Sequence, residues 1–382
     1  MMRIKVVERL DLGIYATFKP NRELPRHRWF YFKEGFSRAL VEYLLKRYKV
    51  GGGDWVLDPF TGVGTTPLTC RELGVNTVGV EISPLFKMIA EAKIEDYETD
   101  VLRTHLDLHI SILRRRARLN TSDIDPLLKK AFPPHSLIDI LKVREAIEEV
   151  SDRKIRNFFY TALLSAANKA SYAIKDGSRI KIDTGRRPPP FKIIYPRAVE
   201  QMIRDIENTK LEKSEYHLYQ GDARRLTMIE EDSIDMVVTS PPYLNKIEYT
   251  TLYEIEYLLI YGDTQVNPVR SYIGMNISRD YALKLGEEWG DLPPGAKAYI
   301  QDMSRVIDEI YRVLRRGGAA ALVIGQGIYP DRVIPTDRII AKYALHNGFK
   351  SAEIWVVNKR IATRARNIKI GVAEESIVLL RK

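Results

Sequence analysis

The sequence predicts an α/β protein whose central sheet is mostly parallel. Short apolar runs rich in β-branched residues recur along the chain, helical patterns separate most of them, and each run ends in a polar or glycine-rich turn. Strands that alternate with helices in this way favour a parallel sheet with helices on both faces.

The first predicted elements are a helix and two strands. Residues 36–48 (FSRALVEYLLKRY) have helical periodicity, and strands follow at 54–58 (DWVLD) and 76–81 (NTVGVE). The same pattern resumes in the second half of the chain. There we predict strands at 216–222, 234–240 and 319–325 and helices at 303–314 and 334–348.

The last two strands are predicted at 352–358 (AEIWVVN) and 375–380 (ESIVLL). No helical pattern separates them, so we expect an antiparallel hairpin with residues 363–373 (TRARNIKIGVA) as its connection. The final strand of the sheet is therefore expected to be antiparallel to its neighbours.

The middle of the chain departs from the alternation. Residues 85–215 contain long helical patterns and a loop rich in proline and arginine at 183–197. We therefore expect a helical insertion at 85–215 in an α/β domain formed by 1–84 and 216–382, with substrate recognition as its possible role. A second irregular segment, 262–298, is expected to form a loop near the functional site of the α/β domain.

The chain has 382 residues and a net charge of +10, which favours an anionic partner. It has no apolar run long enough to span a membrane and no secretory leader, so a cytoplasmic protein is expected. The single cysteine, Cys70, excludes an intrachain disulfide. His105 and His109 share a helix face but lack a third ligand, so we predict no metal site.

A glycine turn follows the first strand of the predicted sheet, in VLDPFTGVGTT (56–66). Gly62 and Gly64 permit a tight turn where an open α/β sheet binds its ligand. Thr65 follows without the lysine of a phosphate-binding loop, and Pro67 stands where a dinucleotide-binding fingerprint has glycine or alanine. Both phosphate-binding interpretations are therefore disfavoured.

Acidic residues end three of the predicted strands. Asp58 is suited to accept from a cationic amine, Glu81 to hold two ribose hydroxyls, and Asp222 to accept from an adenine amino group. Each alone is more often a helix cap. Together they indicate a ligand with an ammonium, a ribose and an adenine but no phosphates, which is S-adenosylmethionine.

The fourth strand runs into Thr-Ser-Pro-Pro-Tyr at 239–243. Two consecutive prolines fix the backbone and end the strand, at the same edge of the sheet as the glycine turn. Ser240 Oγ and the Pro241 carbonyl can accept from an amino group, while Pro242 stiffens the turn. Tyr243 offers a ring on which a base can stack, although packing as a core aromatic is the alternative.

This turn resembles the signature of the amino-methyltransferases, which modify exocyclic nitrogens of bases, and TSPPY is most similar to the N4-cytosine branch. The resemblance covers about two-thirds of the chain and implies a Rossmann-like class I methyltransferase sheet. It places residues 28–45 at the methionine end of the cofactor. The cofactor contacts that it implies are Phe32, Asp58, Phe60, Gly62, Gly64, Thr65, Glu81, Ile82, Asp222, Ala223 and Ser240.

The residue types suit transfer to nitrogen. A cytosine amino group is a poor nucleophile, and acceptors on both N–H bonds favour a tetrahedral nitrogen. Methylation at cytosine C5 would instead require a thiolate. Cys70 lies in the helix after the glycine turn with no catalytic context, so that chemistry is not expected.

The sequence favours RNA as the substrate. The cofactor-first motif order, the basic charge and a composition typical of thermophiles resemble archaeal enzymes that methylate cytosine N4 in ribosomal RNA. A DNA N4-cytosine or N6-adenine methyltransferase, a glutamine methyltransferase and an inactive binding scaffold remain alternatives. Proposed nucleic-acid contacts are the basic clusters at 114–118, 186–192, 315–316 and 359–369 and the aromatic residues Phe191, Tyr195 and Trp355.

Overall fold

The structure is a computed structural model. It describes residues 4–115, 124–176, 179–244, 249–262, 292–364 and 368–382. Most of the predicted segment 262–298 and part of two basic clusters lie outside these ranges.

The first third of the chain alternates strands and helices. Its strands are β1 (Lys5–Glu8), β2 (Trp55–Asp58) and β3 (Asn76–Glu81), and its helices are α1 (Arg38–Tyr48), α2 (Thr65–Glu72) and α3 (Pro84–Ile94).

The middle region is mainly helical, as its periodicity predicts. It contains α4 (Thr99–Arg114), α5 (Pro126–Ala131), α6 (Pro134–Glu148), α7 (Arg153–Lys169) and α8 (Phe191–Asn208), with a small hairpin of β4 (Ala173–Asp176) and β5 (Arg179–Ile182) before α8. The separate recognition role of residues 85–215 stays a prediction.

The last part of the chain returns to the sheet. Its elements are β6 (Tyr216–Gln220), β7 (Ile234–Thr239), α9 (Tyr249–Leu252), α10 (Glu254–Tyr261), α11 (Pro294–Val313), β8 (Leu314–Gly325), β9 (Gly327–Ile328), β10 (Val333–Ile334), α12 (Thr336–His346), β11 (Ser351–Arg364) and β12 (Ile368–Arg381).

The described strands form a main sheet in the order β1-β11-β12-β8-β7-β2-β3-β6. β12 is antiparallel to both of its neighbours, whereas the other pairs are parallel. The predicted α/β class, with a mostly parallel sheet and an antiparallel final strand, is confirmed.

Apolar side chains from both faces of the sheet are buried. On one face, Leu57 and Val237 of the sheet pack against helices α11 and α12. On the other face, Val56 and Val238 pack against α1. Successive strand residues therefore point to opposite faces, and both are covered, as a buried parallel sheet requires. A third cluster joins α3 to α4, α6, α7, α8 and α10.

A buried carboxylate attaches the helical region to the N-terminal segment. Asp205 of α8 accepts a hydrogen bond from Trp29 Nε1 at 2.9 Å and pairs with the Arg28 guanidinium. The backbone N–H of Arg26 also donates to it, at 3.2 Å. Because Asp205 is buried, these donors are needed to offset the loss of its hydration.

Two local predictions were wrong. The loop predicted at 183–197 ends early because α8 begins at Phe191 and includes Pro196 in its second turn. The connection predicted at 363–373 is largely strand, since β11 extends to Arg364 and β12 begins at Ile368. The glycine in this segment suggested a connection, but the two strands pair with each other there. No helix of the described residues is long and apolar enough to cross a membrane.

Candidate functional site

The glycine turn and the Ser-Pro-Pro-Tyr turn follow neighbouring parallel strands, β2 and β7. Carboxyl ends of parallel strands lie at one edge of a sheet, so both turns face the same side. Thr239, the last residue of β7, donates a hydrogen bond of 2.6 Å from its hydroxyl to Asp58 Oδ1 at the end of β2. The two turns are therefore joined at their bases.

The glycine turn depends on backbone that only glycine adopts easily. Gly62 has φ +53° and Gly64 has φ +85°. A Cβ on Gly64 would lie 2.9 Å from the Ala90 Cβ of α3, which is too close. A Cβ on Gly62 would lie 3.2 Å from the ring of Phe32. The turn thus packs closely on α3 and forms a cradle beside Phe32.

Glu81 lies at the end of β3 and holds the glycine turn. Its Oε2 accepts from the Gly62 N–H at 2.7 Å, and its Oε1 accepts from the Ser83 N–H at 2.9 Å. Desolvation raises the pKa of the carboxyl group to about 7 despite these bonds. Each carboxylate oxygen keeps a further lone pair, so the side chain can still accept from two hydroxyls.

Asp58 lies beneath both turns with 1% of its surface exposed. Besides the Thr239 hydroxyl, its Oδ1 accepts from the Phe60 N–H at 3.1 Å. Desolvation raises the pKa of Asp58 to about 6. Its buried negative charge is therefore under-compensated, an environment that a nearby cation would improve.

Asp222 follows β6, which pairs with β3. Its carboxylate forms an ion pair with Arg224, whose Nη2 lies 2.6 Å from Oδ2. Arg224 also pairs with Asp302 of α11 at 3.2 Å. Asp222 is thus at the expected edge of the sheet, beside the end of Glu81's strand, but it is already bonded to an arginine that the sequence analysis did not consider. Its neighbour Ala223 is buried.

The remaining cofactor candidates surround the glycine turn. The Phe32 ring packs edge-on against Phe86, with centroids 5.0 Å apart, and lies near Tyr253. Phe60 is half-buried against the core that includes α11 and α12. Thr65 begins α2 and is buried, while Ile82 is half-buried beside Glu81.

The Ser-Pro-Pro-Tyr turn is held by side chains from distant elements. Ser240 Oγ donates to the Val323 carbonyl of β8 at 3.3 Å, which leaves its lone pairs available as acceptors. The Tyr299 hydroxyl of α11 donates to the Pro242 carbonyl at 2.9 Å. Pro241 is buried. The Pro242 carbonyl is therefore already bonded.

Tyr243 is half-buried at the end of β8. A Cβ on Gly325 would lie 2.4 Å from its ring, so only glycine permits this approach. The Tyr243 hydroxyl donates to Glu375 Oε1 of β12 at 2.7 Å. The ring therefore has one side against the protein and a fixed hydroxyl, an arrangement that suits a stacking platform and that a packing role would also produce.

Besides Arg224, sequence reasoning missed three residues of the site. Tyr299 and Glu375 are far along the chain from the turn that they hold, and no motif marks them. Thr239 was part of the quoted motif, yet its bond to Asp58 required knowledge that β2 and β7 are neighbours.

The proposed aromatic nucleic-acid contacts were wrong. Phe191, Tyr195 and Trp355 are at most 2% exposed and cannot stack on a base.

His109 is also buried and bonds to the Tyr195 hydroxyl at 2.8 Å. Burial raises the pKa of Cys70 to about 12, which disfavours a thiolate.

The chain matches the family model described as DNA methylase over residues 14–92. It is 23% identical to the Type II methyltransferase M.BsoBI of Geobacillus stearothermophilus, over 90% of this chain and 82% of that protein. It is 24% identical to the Type II methyltransferase M.AvaI of Nostoc sp., over 90% of this chain and 83% of that protein. The chain also aligns with the crystal structure of a SAM-dependent methyltransferase from Methanosarcina mazei. The alignment covers 88% of this chain and 96% of that chain, with 11% identity and a TM-score of 0.31.

The family match covers the glycine turn and Glu81, and the two relatives align along most of the chain. The chain is an S-adenosylmethionine-dependent N-methyltransferase that acts on nucleic-acid bases, and S-adenosylmethionine is its cofactor.

Proposed function

We propose that the protein methylates the N4 amine of cytosine in DNA. The observation that carries the proposal is the Ser-Pro-Pro-Tyr turn, joined at its base to the glycine turn through the Thr239–Asp58 hydrogen bond. The family model is described as DNA methylase, and the relatives are named Type II methyltransferases. Both support DNA over RNA.

This proposal replaces the ribosomal RNA substrate expected from the sequence. Motif order, basic charge and thermophile-like composition supported that expectation, and the comparisons give it no support. Basic charge attracts any polyphosphate, so it does not distinguish the two nucleic acids.

The residues present fit the cofactor. In this proposal Glu81 accepts from the ribose hydroxyls with the lone pairs that its backbone bonds leave free. Gly62 and Gly64 allow the chain to approach closely, and Phe32 lines the cradle beside them. Asp58 acts through its charge, which favours a cationic ligand above it. Bound S-adenosylmethionine supplies an electrophilic methyl group on its sulfonium.

Asp222 has a different place in the proposal from the one expected. Its carboxylate is about one-third exposed and already paired with Arg224. We therefore assign it the adenine end of the cofactor as part of an ion pair, with Ala223 and Ile82 as apolar neighbours and Phe60 and Thr65 closer to the turn.

The Ser-Pro-Pro-Tyr turn activates the amine in this proposal. Ser240 Oγ, whose hydrogen is directed at the Val323 carbonyl, accepts one amine N–H, and the Pro241 carbonyl accepts the other. Both bonds localise the nitrogen lone pair as the amine loses its conjugation with the ring. Pro242 and Tyr299 fix the turn, and Tyr243 stacks on the extruded base.

The test is transfer of labelled methyl from S-adenosylmethionine to unmethylated amplified DNA and, separately, to total RNA, followed by nucleoside digestion and mass spectrometry. The expected product is N4-methyldeoxycytidine, formed by the wild-type protein and not by Ser240→Ala.

Each other product would overturn part of the proposal. N6-methyldeoxyadenosine would retain DNA as the substrate and reject cytosine. N4-methylcytidine from RNA, with no labelled deoxynucleoside, would reject DNA and restore the original expectation.

A further inference from the structure

The last hairpin of the chain extends beyond the sheet on the side of the Ser-Pro-Pro-Tyr turn. β12 begins to pair with β8 at Glu375, opposite Gly325 at the end of β8. Residues 359–364 and 368–374, here called the distal ribbon, pair with each other past that point. At roughly 3.3 Å per residue, each arm reaches roughly 20 Å beyond the sheet.

The distal ribbon begins at the candidate site. Glu375, which accepts from the Tyr243 hydroxyl, pairs with Asn358 across the hairpin. A small cavity at this junction is lined by Tyr243, Asn358 and Arg360 among others. The base of the ribbon and the Ser-Pro-Pro-Tyr turn therefore form one continuous surface.

The two faces of the distal ribbon differ. Ala362 and Ala373 are buried, and a Cβ on Gly371 would lie 3.1 Å from Val333 of β10, so one face packs on the protein. The opposite face exposes Ile361 and Val372, which are direct cross-strand neighbours and are 64% and 45% exposed. As direct cross-strand neighbours, these two side chains form one small exposed apolar patch on the ribbon.

The charge of the ribbon indicates its partner. The distal ribbon includes four basic residues, Lys359, Arg360, Arg364 and Lys369, and one acidic residue, Glu374. Lys359, Arg360 and Lys369 are exposed, although Lys359 also pairs with Glu8. A second copy of the chain would bring two such segments together and would be repelled. A polyanion is attracted by the same charges.

We propose that the distal ribbon binds duplex DNA next to the target base. The major groove admits a two-stranded β-ribbon, in which basic side chains contact phosphates and aliphatic ones contact thymine methyl groups. Because the ribbon begins next to Glu375, which accepts from the Tyr243 hydroxyl, DNA along the ribbon would have its target base at the Ser-Pro-Pro-Tyr turn. This inference rests on the proposed function and adds the surface that holds the duplex.

The test compares two charge-removing double variants of the full-length protein. Arg360→Gln with Lys369→Gln alters the distal ribbon. Lys213→Gln with Lys350→Gln removes the same charge from exposed positions at the opposite edge of the sheet, next to the starts of β6 and β11. The probe is a fluorescein-labelled duplex of random sequence, and its Kd is measured by anisotropy over a series of salt concentrations.

The ribbon variant is expected to bind the duplex more weakly. It should also lower the slope of log affinity against log salt by about 0.9 for each lost phosphate contact. The control variant should keep the wild-type slope, and both should bind S-adenosylmethionine like the wild type. Equal slopes for the two variants would overturn the inference.

A second variant tests the aliphatic face. Ile361→Thr with Val372→Thr keeps residues that favour strands, so the hairpin is expected to remain folded. It should weaken duplex binding with an unchanged salt slope. If instead the variant sediments as a smaller species than the wild type and its Kd for the duplex is unchanged, the aliphatic face binds a second copy of the chain and the inference is wrong.

The proposed function and the ribbon can fail separately. If the wild-type protein methylates amplified DNA but the ribbon variant binds the duplex like the control, only the ribbon inference fails. If the wild-type protein methylates no DNA, the proposed function fails, and the ribbon inference fails with it.

Discussion

The two turns at the carboxyl edge of the sheet are held in different ways. The glycine turn is fixed by its own residues and the adjacent strand: Gly64 donates its N–H to the Thr61 carbonyl, and Gly62 donates to Glu81. The Ser-Pro-Pro-Tyr turn is fixed by Tyr299 and Glu375, which lie 57 and 132 residues away from their partners in it.

This difference explains why one turn was easier to interpret than the other. A local turn has its requirements written in its own residues, such as glycine where φ is positive. When a turn is held by residues far along the chain, its own sequence contains the rigid prolines but gives no indication of the residues that hold it. Substitutions should therefore act on the glycine turn through folding and on the Ser-Pro-Pro-Tyr turn through turnover.

The largest effect is expected for Gly64→Ala. Positive φ strains alanine by about 1–3 kcal/mol, and the new Cβ would also collide with Ala90 of α3. We expect a lower free energy of unfolding in urea and loss of S-adenosylmethionine binding.

Gly53→Ala is the matched control for this variant. Gly53 has φ +89°, but nothing lies within 4 Å of the position of its Cβ, so strain acts there alone. If Gly64→Ala destabilises the protein no more than Gly53→Ala, the close contact with α3 is unimportant.

Ser240→Ala is expected to lower turnover about a hundredfold, the scale of losing one preorganised polar contact to a reacting group. The side chain donates to Val323 and is half-buried, so stability should change little. Steady-state methylation kinetics and calorimetric titration with S-adenosylmethionine measure the two effects. Ser240→Asn, which keeps an acceptor oxygen, should be more active than the alanine variant, and unchanged turnover in Ser240→Ala would refute amine activation by the hydroxyl.

Glu81 is expected to make cofactor binding depend on pH. Burial raises its pKa to about 7, and the ionised form is the better acceptor for ribose hydroxyls. Affinity for S-adenosylmethionine should therefore rise as pH increases toward the pKa of about 7 and level off above it. Calorimetric titration over this pH range should show the rise in affinity in the wild type. Glu81→Gln should bind S-adenosylmethionine more weakly, with an affinity that changes less with pH.

The same residue should oppose stability. A raised carboxyl pKa means that the folded state binds the proton more tightly than the unfolded state. The free energy of unfolding should fall as pH rises from 4.5, the ordinary value, to about 7. Glu81→Gln should remove that decrease, while Asp58, whose pKa is raised from 3.8 to about 6, leaves a separate decrease that ends near pH 6. A Gln variant with the wild-type pH profile would contradict this assignment.

The smallest effect is expected at the Tyr243–Glu375 hydrogen bond. Tyr243→Phe and Glu375→Ala should each cost about 0.5–1.5 kcal/mol in kcat/KM, the net value of one hydrogen bond. If the bond positions the ring, the double variant should cost less than the sum of the two. Strictly additive losses would show that the bond does not act through the ring.

Much of the fold could be predicted because its signals are local. β3 occupies 76–81 as predicted, and β2 and β7 differ from their predicted ranges by one residue at one end. Alternation of strands and helices was sufficient for the fold class. Most of the distal ribbon was missed because a glycine and the lack of a helical pattern indicated a connection, whereas cross-strand pairing keeps the segment extended.

The sequence by itself determined the sheet class, the ends of β2, β3 and β7 to within one residue and the turns that follow β2 and β7, because hydrophobic periodicity and backbone-restricting residues act over a few positions. Only the tertiary structure decided that Thr239 meets Asp58, that Asp222 is paired with Arg224, and that Trp355 is buried rather than available to a base. These facts depend on which strands are neighbours and on which faces are covered. Such relations join residues far apart in the chain, and no local pattern contains them.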